Sequence, residues 1–438
     1  MDNKKNFIAM TCALAVSISI SAQQSTYVSI DEAVGAAAKN NANVQISELE
    51  HKIANANYHE TDAVFLPQVS VGYTAVTTNN PLNAFGFLLN QRTVTSQDFD
   101  PAKLNDPSAA HNYSADINVK LPLVNADMFY ARKGAKYQEE VYKNKAKYTQ
   151  NWIAFEVKKA YTQLQFSYQA QQILQSTLED VERIHESVSN FYNQGLIQKS
   201  DVLNAQVQVN TVESALAKAG SSVKNASDEL GLLMATNDGN DIYRTDSLSQ
   251  QQLQLNGQVF STLRPDVVAM QKAVDVSRMM VKSSNMSFLP RINAFGSYNL
   301  NDSKAFGFDA DSYLVGINLS WDIFSGNRNR SKLKASVLQR NKMQEELNLY
   351  VNKSRLEYNK TLRDLQDLEV EIRKQKANVE QATEALRILS DRYKEGLTRT
   401  TDLLAAQAQL SQQRLQLAQA VMSYNITTYY LNLLSTAN

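Results

Sequence analysis

The hydrophobic positions of this chain follow two periods, one of two residues in four short stretches and one of seven in the long stretches between them. Period two marks a strand with a single apolar face. Val69, Val71, Tyr73 and Ala75 share one side, with Ser70, Gly72 and Thr74 on the other. Ile292, Ala294, Gly296, Tyr298 and Leu300 alternate in the same way with Arg291, Asn293, Ser297 and Asn299. The alternation is clearer in the second strand of each pair. Tyr113, Ala115, Ile117, Val119, Leu121 and Leu123 face away from Ser114, Asp116, Asn118 and Lys120. Tyr313, Val315, Ile317, Leu319, Trp321 and Ile323 face away from Leu314, Gly316, Asn318, Ser320 and Asp322. These runs predict strands over 68–78, 112–124, 291–300 and 312–324.

The remaining pattern is helical. Residues 29–65 form one such stretch, with Asp31 and Glu32 where the helix macrodipole favours acids, and it stops at Pro67. Residues 264–290 are its counterpart, and Phe65-Leu66-Pro67 matches Phe288-Leu289-Pro290. Each second strand leads into a long helix, over 126–192 and 326–393. At 1.5 Å per residue such a helix is about 100 Å long. Further helices are predicted over 201–233 and 401–435. In them Val202, Val209, Leu216, Val223 and Leu230, and again Leu403, Leu410, Leu417, Tyr424 and Leu431, recur every seven residues. A seam at that period belongs to helices packed side by side as coiled coils. In the long helices Leu164, Leu178, His185 and Val188 correspond to Leu365, Val379, Leu386 and Leu389, so a single His interrupts an apolar seam.

A tight turn joins each long helix to the next, and it occurs twice. FYNQGLIQKSD begins at Phe191 and RYKEGLTRTTD at Arg392. In both, Tyr (Tyr192, Tyr393) stands three residues before Gly (Gly195, Gly396), and Asp (Asp201, Asp402) six after it. Glycine past an apolar helical run ends a helix in the left-handed conformation, and a Ser/Thr/Asp cluster starts another. The chain is therefore a duplicated object: a first repeat over 23–233, a polar linker over 234–260 with room for one short strand, and a second repeat over 261–438. The halves differ most between their strands. The first hairpin has a long connection over 78–112 with three prolines, longer than an ordinary turn. Inside it Ala84-Phe85-Gly86-Phe87 echoes Ala305-Phe306-Gly307-Phe308 of the second.

Composition narrows what such an object does. Of 438 residues, 44 are Lys or Arg and 44 Asp or Glu, so no electrostatic case exists for nucleic acid. Lys4 and Lys5, an apolar run over 7–20 and the small residues Ser21 and Ala22 read as a secretory signal over 1–22. The single cysteine, Cys12, falls inside it, in a context unlike a lipid-attachment site. A mature chain without cysteine has no disulfide, thiolate metal site or Cys nucleophile. Beyond the signal no apolar run reaches eighteen residues, so a membrane is crossed by strands or not at all. Lipid demands strands with one apolar face and every backbone group paired. Four strands cannot close a barrel, since about eight are needed. Polar residues such as Asp116, Lys120, Asn318 and Asp322 on the second face suit a water-filled lumen shared between copies.

The chain resembles the TolC-type outer-membrane efflux family. The resemblance rests on the signal, the two Phe-Leu-Pro ends, Arg264-Pro265-Asp266, Trp321-Asp322-Ile323-Phe324-Ser325-Gly326 and the twin Tyr-x-x-Gly turns, which together span almost the whole mature chain. It implies a mostly α fold with a membrane β-barrel portion. Each chain of a homotrimer gives four strands to one twelve-stranded barrel, continued by a long coiled-coil α-barrel across the periplasm. The implied partners are outer-membrane lipid, a periplasmic adaptor of the membrane-fusion type and an inner-membrane pump, and no cofactor is implied. Two departures stand out. Leu121-Pro122-Leu123-Val124-Asn125-Ala126 replaces the Trp and Gly of the second half, so that corner is expected to bend differently. After the second turn Asp402 is followed by Ala405, where many members place a second acid.

The resemblance sets the second turn nearer the symmetry axis, making Tyr393, Gly396, Thr398, Arg399 and Asp402 candidates for the periplasmic entrance and its gate. Tyr192, Gly195, Lys199 and Asp201 form the outer turn. Asp201 and Asp402 also fit the plainer role of helix caps, and Arg399 that of an exposed turn residue. Tyr73, Tyr113, Tyr298, Tyr313, Trp321 and Phe324 are candidates for membrane-interface girdles, against ordinary sheet aromatics. His51, His59, His111 and His185 lack metal-ligand spacing, and no phosphate loop, HExxH or nucleophile elbow points to catalysis. The competing class is a soluble periplasmic coiled-coil adaptor or structural protein, which would share the signal, the heptads and the zero net charge.

Overall fold

The computed structural model describes residues 25–236, 242–251 and 260–435. The expected signal over 1–22 lies outside them. In chain order the elements are β1 (Ser25–Tyr27), α1 (Ile30–Asn40), α2 (Ala42–Glu60), β2 (Gln68–Thr78), α3 (Pro81–Asn90), α4 (Pro101–Asn105), β3 (Ala110–Val124), α5 (Ala126–Asn193), α6 (Lys199–Met234), β4 (Ile242–Arg244), α7 (Pro265–Met286), β5 (Arg291–Asp302), β6 (Ala310–Ser320), α8 (Arg328–Lys394) and α9 (Thr400–Ser435). They fall into two compact units. Among the described residues, one draws on 25–41, 153–236, 242–251 and 363–430, the other on 42–152, 260–362 and 431–435. No described helix is long and apolar enough to cross a membrane.

The first unit is helical, and the heptad positions make its interior. Val181 packs with Val209 and Val212, and Val188 with Ala205, Tyr393, Leu403 and Leu404. Each Val or Leu buried in this way stabilises the fold by about 1.5–3 kcal/mol. The linker carries the expected short strand, and its partner is the strand β1 that the pattern did not signal. β1 and β4 run parallel, Ser25 opposite Ile242. Tyr27 and Tyr161 both donate to the Asp246 carboxylate, at 2.5 and 3.3 Å. The helix expected over 29–65 is two helices and a 3-10 turn. Ser29 and Glu32 cap α1 reciprocally, and extended Asn41 separates it from α2, its side chain bonded to the Leu233 carbonyl at 2.8 Å.

The second unit holds an antiparallel sheet in the order β2-β3-β5-β6, so β2 and β6 are open edges of eleven residues each. The strand expected over 312–324 ends at Ser320, because a turn carrying Gly326 and Asn327 in left-handed conformation (φ 63° and 64°) leads into α8. Trp321 stays docked through its indole N–H, which donates to the Phe288 carbonyl at 2.9 Å. At the other corner β3 continues to Val124 through an irregularity between Pro122 and Val124 and leads into α5, a different bend from the second half, as expected where its Trp and Gly are replaced. The connection over 78–112 is not a plain loop: α3 is capped by Asn80 and starts on Pro81, and α4 by Asp100 and Pro101. The Ala-Phe-Gly-Phe echo is therefore not structural. The first copy lies within α3, and the second is a tight turn with Phe306 and Phe308 at positive φ.

At the start of α7, Arg264 and Asp266 form a buried two-point ion pair (3.1 and 2.5 Å), and the Tyr350 hydroxyl donates to the same carboxylate at 2.6 Å. Burial and that carboxylate push the Tyr350 phenol well above its ordinary range.

Candidate functional site

In the first unit the twin turns are built alike. Gly195 N–H donates to the Tyr192 carbonyl (2.8 Å) and Leu196 N–H to Phe191 (3.0 Å); Gly396 and Leu397 repeat this with Tyr393 (3.0 Å) and Arg392 (2.9 Å). This is the Schellman closure, which requires φ above zero at the glycine, here 77° and 72°.

The environments of the two turns differ. Tyr192 is 41% exposed, whereas Tyr393 is 4% exposed, its ring edge-on to Phe191 at 5.5 Å and its hydroxyl 3.3 Å from that of Thr400. Burial raises the Tyr393 phenol above its ordinary range, opposed by the Thr400 bond and reinforced by the charge of Asp201. Asp201 accepts the Gln198 backbone N–H at 3.2 Å, at the start of α6. Asp402 makes no side-chain bond among the described residues, and Arg399 and Lys199 are exposed with Thr398 half-buried. Two residues that the pattern did not single out complete this region. Gln407, buried on the α9 seam, donates to Asp180 at 3.0 Å, and Asp180 also pairs with Arg183. A glutamine at a coiled-coil core position was the available signal.

In the second unit the register sorts the sheet into two faces. Directly opposed residues of antiparallel strands share a face. Val69, Val119, Gly296 and Val315 form one row across all four strands, and Val71, Ile117, Tyr298 and Tyr313 the next. This face is apolar and bare: Val71 and Val315 are each 76% exposed and Tyr313 79%. The opposite face carries Ser70, Asn118, Ser297 and, one row further out, Asp116, Asn299 and Ser312. Tyr73, Tyr113, Tyr298 and Tyr313 lie on the apolar face toward the hairpin ends, and Tyr73 stacks on Phe306 at 4.9 Å. Trp321 and exposed Phe324 lie beyond the other end of β6. Between the aromatic groups stand Val315, Ile317 and Leu319. Eight residues from Tyr313 to Trp321 span about 27 Å along a strand, or about 20 Å of height at a tilt of roughly 40°.

His51 pairs with Glu139 at 2.9 Å and His59 with Asp62 at 3.1 Å. Both imidazoles are thus engaged by single carboxylates.

An open sheet with a lipid-type face, set in a chain of paired long helices, defines a membrane channel subunit. The outer membrane efflux protein family matches residues 33–236 and 260–435, and the chain belongs to that family. It is the outer-membrane conduit of a tripartite efflux system, seated in the outer membrane and extending into the periplasm. The family match decides against the soluble adaptor. The fold is shared with a membrane protein from Pseudomonas aeruginosa (TM-score 0.82, 18% identity, 93% of each chain covered). It is also similar to the Campylobacter jejuni CmeC outer membrane channel (TM-score 0.80, 15% identity, 92% of this chain and 85% of that one). A third likeness is to the open state of the Neisseria gonorrhoeae MtrE outer membrane channel (TM-score 0.76, 16% identity, 93% and 89% covered). No curated protein sequence matches the chain significantly.

Proposed function

We propose that three copies of this chain join their sheets edge to edge, β6 of one to β2 of the next, into a single twelve-stranded barrel. One observation carries the reading: a four-stranded sheet with both edges unpaired and a continuous apolar face exposed. An open edge in hydrocarbon leaves backbone groups unpaired at several kcal/mol each, and closure by copies removes the edges. The apolar face then meets lipid, with Tyr73, Tyr113, Tyr298 and Tyr313 at one interface and Trp321 and Phe324 at the other. The polar face lines water.

The helices continue the conduit into the periplasm, where the twin turns form the entrance and meet a periplasmic adaptor that links the channel to an inner-membrane pump. Thr398, Arg399 and Asp402, whose side chains make no hydrogen bond among the described residues, bond across copies, and Tyr393 positions their turn from within. Lys199 and Asp201 belong to the outer turn. Fractionation tests the function as a whole. Recovery in the outer-membrane fraction, release only by detergent and heat-sensitive gel mobility are expected, and recovery in a periplasmic wash would overturn it.

A further inference from the structure

The polar face of the sheet is not uniformly hydrophilic. One row across it reads Gln68, Lys120, Phe295 and Gly316. Phe295 is the aromatic residue of this face and is 37% exposed. The far end of its ring reaches over Gly316 of β6: a Cβ there would stand 2.7 Å from Phe295 Cζ, a distance real Cβ atoms do not tolerate. Glycine at 316 is thus what lets a large ring rest against the wall instead of standing into the space beyond.

Beside the ring is a pocket of about 490 Å³ whose lining includes Gln68, Lys120, Asn125, Asn293, Phe295 and Asn318. Five of these six share the polar face by register, and Asn125 comes from the corner leading into α5. Two cations border the pocket, and they differ. Arg291 is committed to Asp127. Lys120 has no ion-pair partner among the described residues. The nearest acid along its own strand on this face, Asp116, stands two rows outward, folded over Gly72 and bonded by Asn118. Asn125, at the edge of the pocket, donates its amide N–H to Asn293 Oδ1 at 3.1 Å.

The pocket therefore offers an aromatic surface, an ammonium without an ion-pair partner among the described residues, and amide donors around it. We propose that it is a binding site on the channel wall for organic anions that join an aromatic ring to a carboxylate or sulfonate. The ligand ring rests against Phe295, and the acid meets Lys120 and the amide N–H groups of Asn293 and Asn318. This rests on the channel reading, which makes the polar face the lumen wall, and three symmetric copies then set a ring of such sites at the periplasmic end of the barrel. A weak site in a conduit slows and selects what passes, because binding must be favourable enough to enter and weak enough to leave.

The test is current block of the purified full-length channel in planar bilayers at near-physiological salt, with naphthalene sulfonate as the probe. Naphthylmethylammonium, of the same ring and opposite charge, and methanesulfonate, of the same acid without the ring, are the comparisons. Wild type is expected to be blocked by the first and far less by the other two. Lys120→Gln and Phe295→Leu should each weaken the block roughly tenfold, the loss of one charge-assisted or one ring contact. Gly316→Ala, which displaces the ring, should weaken it in the same direction. Asp116→Asn should leave it unchanged. Equal block in wild type and Lys120→Gln, or equal block by the anion and the cation, overturns the site while the conductance steps themselves uphold the channel. Absence of any conductance from wild type overturns both.

Discussion

Tyr393 and Thr400 meet hydroxyl to hydroxyl at 3.3 Å inside the second helix turn, both almost fully buried. The matching tyrosine of the first turn, Tyr192, has its side chain in solvent. One sequence motif thus serves two ends: in the second turn it pins the start of α9 to the end of α8, in the first it leaves the turn to the helix cap of Asp201.

The exposed residues of that turn then carry the gating expectation. An exposed ion pair contributes only about 0–1 kcal/mol, but in the proposed trimer three such contacts at the entrance would together bias a two-state closure by a few kcal/mol. Arg399→Ser with Asp402→Ala is expected to raise single-channel conductance in planar bilayers. Lys199→Ser with Asp201→Ala should raise it less and, through the lost cap, loosen α6 by about 0.5–2 kcal/mol. Equal conductance of wild type and the first double variant, with folding intact, would confine these residues to local structure.

The Arg264 and Asp266 pair makes a prediction about stability alone. Their side chains are 5% and 7% exposed. Asp266→Asn leaves a buried guanidinium without its counter-charge, a loss of about 3–5 kcal/mol. Thermal unfolding of the detergent-solubilised protein should show a clear drop, whereas Asp275→Asn, whose partner Arg278 is exposed on the same helix, should change little.

Alkali should loosen the junction of β1 and β4. Burial, the main cause, raises the Tyr161 phenol to about 12, and the Asp246 carboxylate raises Tyr27 chiefly through their hydrogen bond. Unfolded phenols ionise near 10. A phenol held higher in the fold contributes stability that is complete below about pH 10 and lost as pH rises toward about 12. Tyr161→Phe should flatten the thermal stability profile between those limits; an unchanged profile would remove this site as its origin.

The connection between β2 and β3 is expected to face the cell exterior. Gln91 anchors it, donating to the His111 carbonyl at 2.7 Å and to Asn112 Oδ1 at 3.0 Å, while residues 105–106 and 108 are exposed. A short tag inserted after Asn105 should be reached by antibody on intact cells without loss of the channel. Labelling only after the periplasm is opened would reverse the orientation.

Much of this was legible in the sequence, and the reasons differ by element. Period two revealed the sheet because each strand has one apolar and one polar face, so the chemistry alternates with the backbone. Tyr-x-x-Gly revealed the turns because the closing hydrogen bonds demand glycine at one position. β1 and β4 were less legible, since three residues are too few to display a period and their pairing is set by tertiary contact. Ala-Phe-Gly-Phe misled for a related reason: Pro81 and Asn80 start a helix ahead of one copy, while the two ends of a strand hairpin constrain the other. The contrast between Tyr192 and Tyr393 lies wholly in packing, as Phe191, Leu403 and Leu404 close over one ring and not the other.

In the proposed assembly the open sheet is completed by copies of itself. It is tested most directly by the mass of the protein in mild detergent, measured by native mass spectrometry or by light scattering with the detergent contribution removed. A complex of three chains that falls to one on boiling is expected. A stable, monodisperse monomer that still inserts and conducts would contradict the shared barrel.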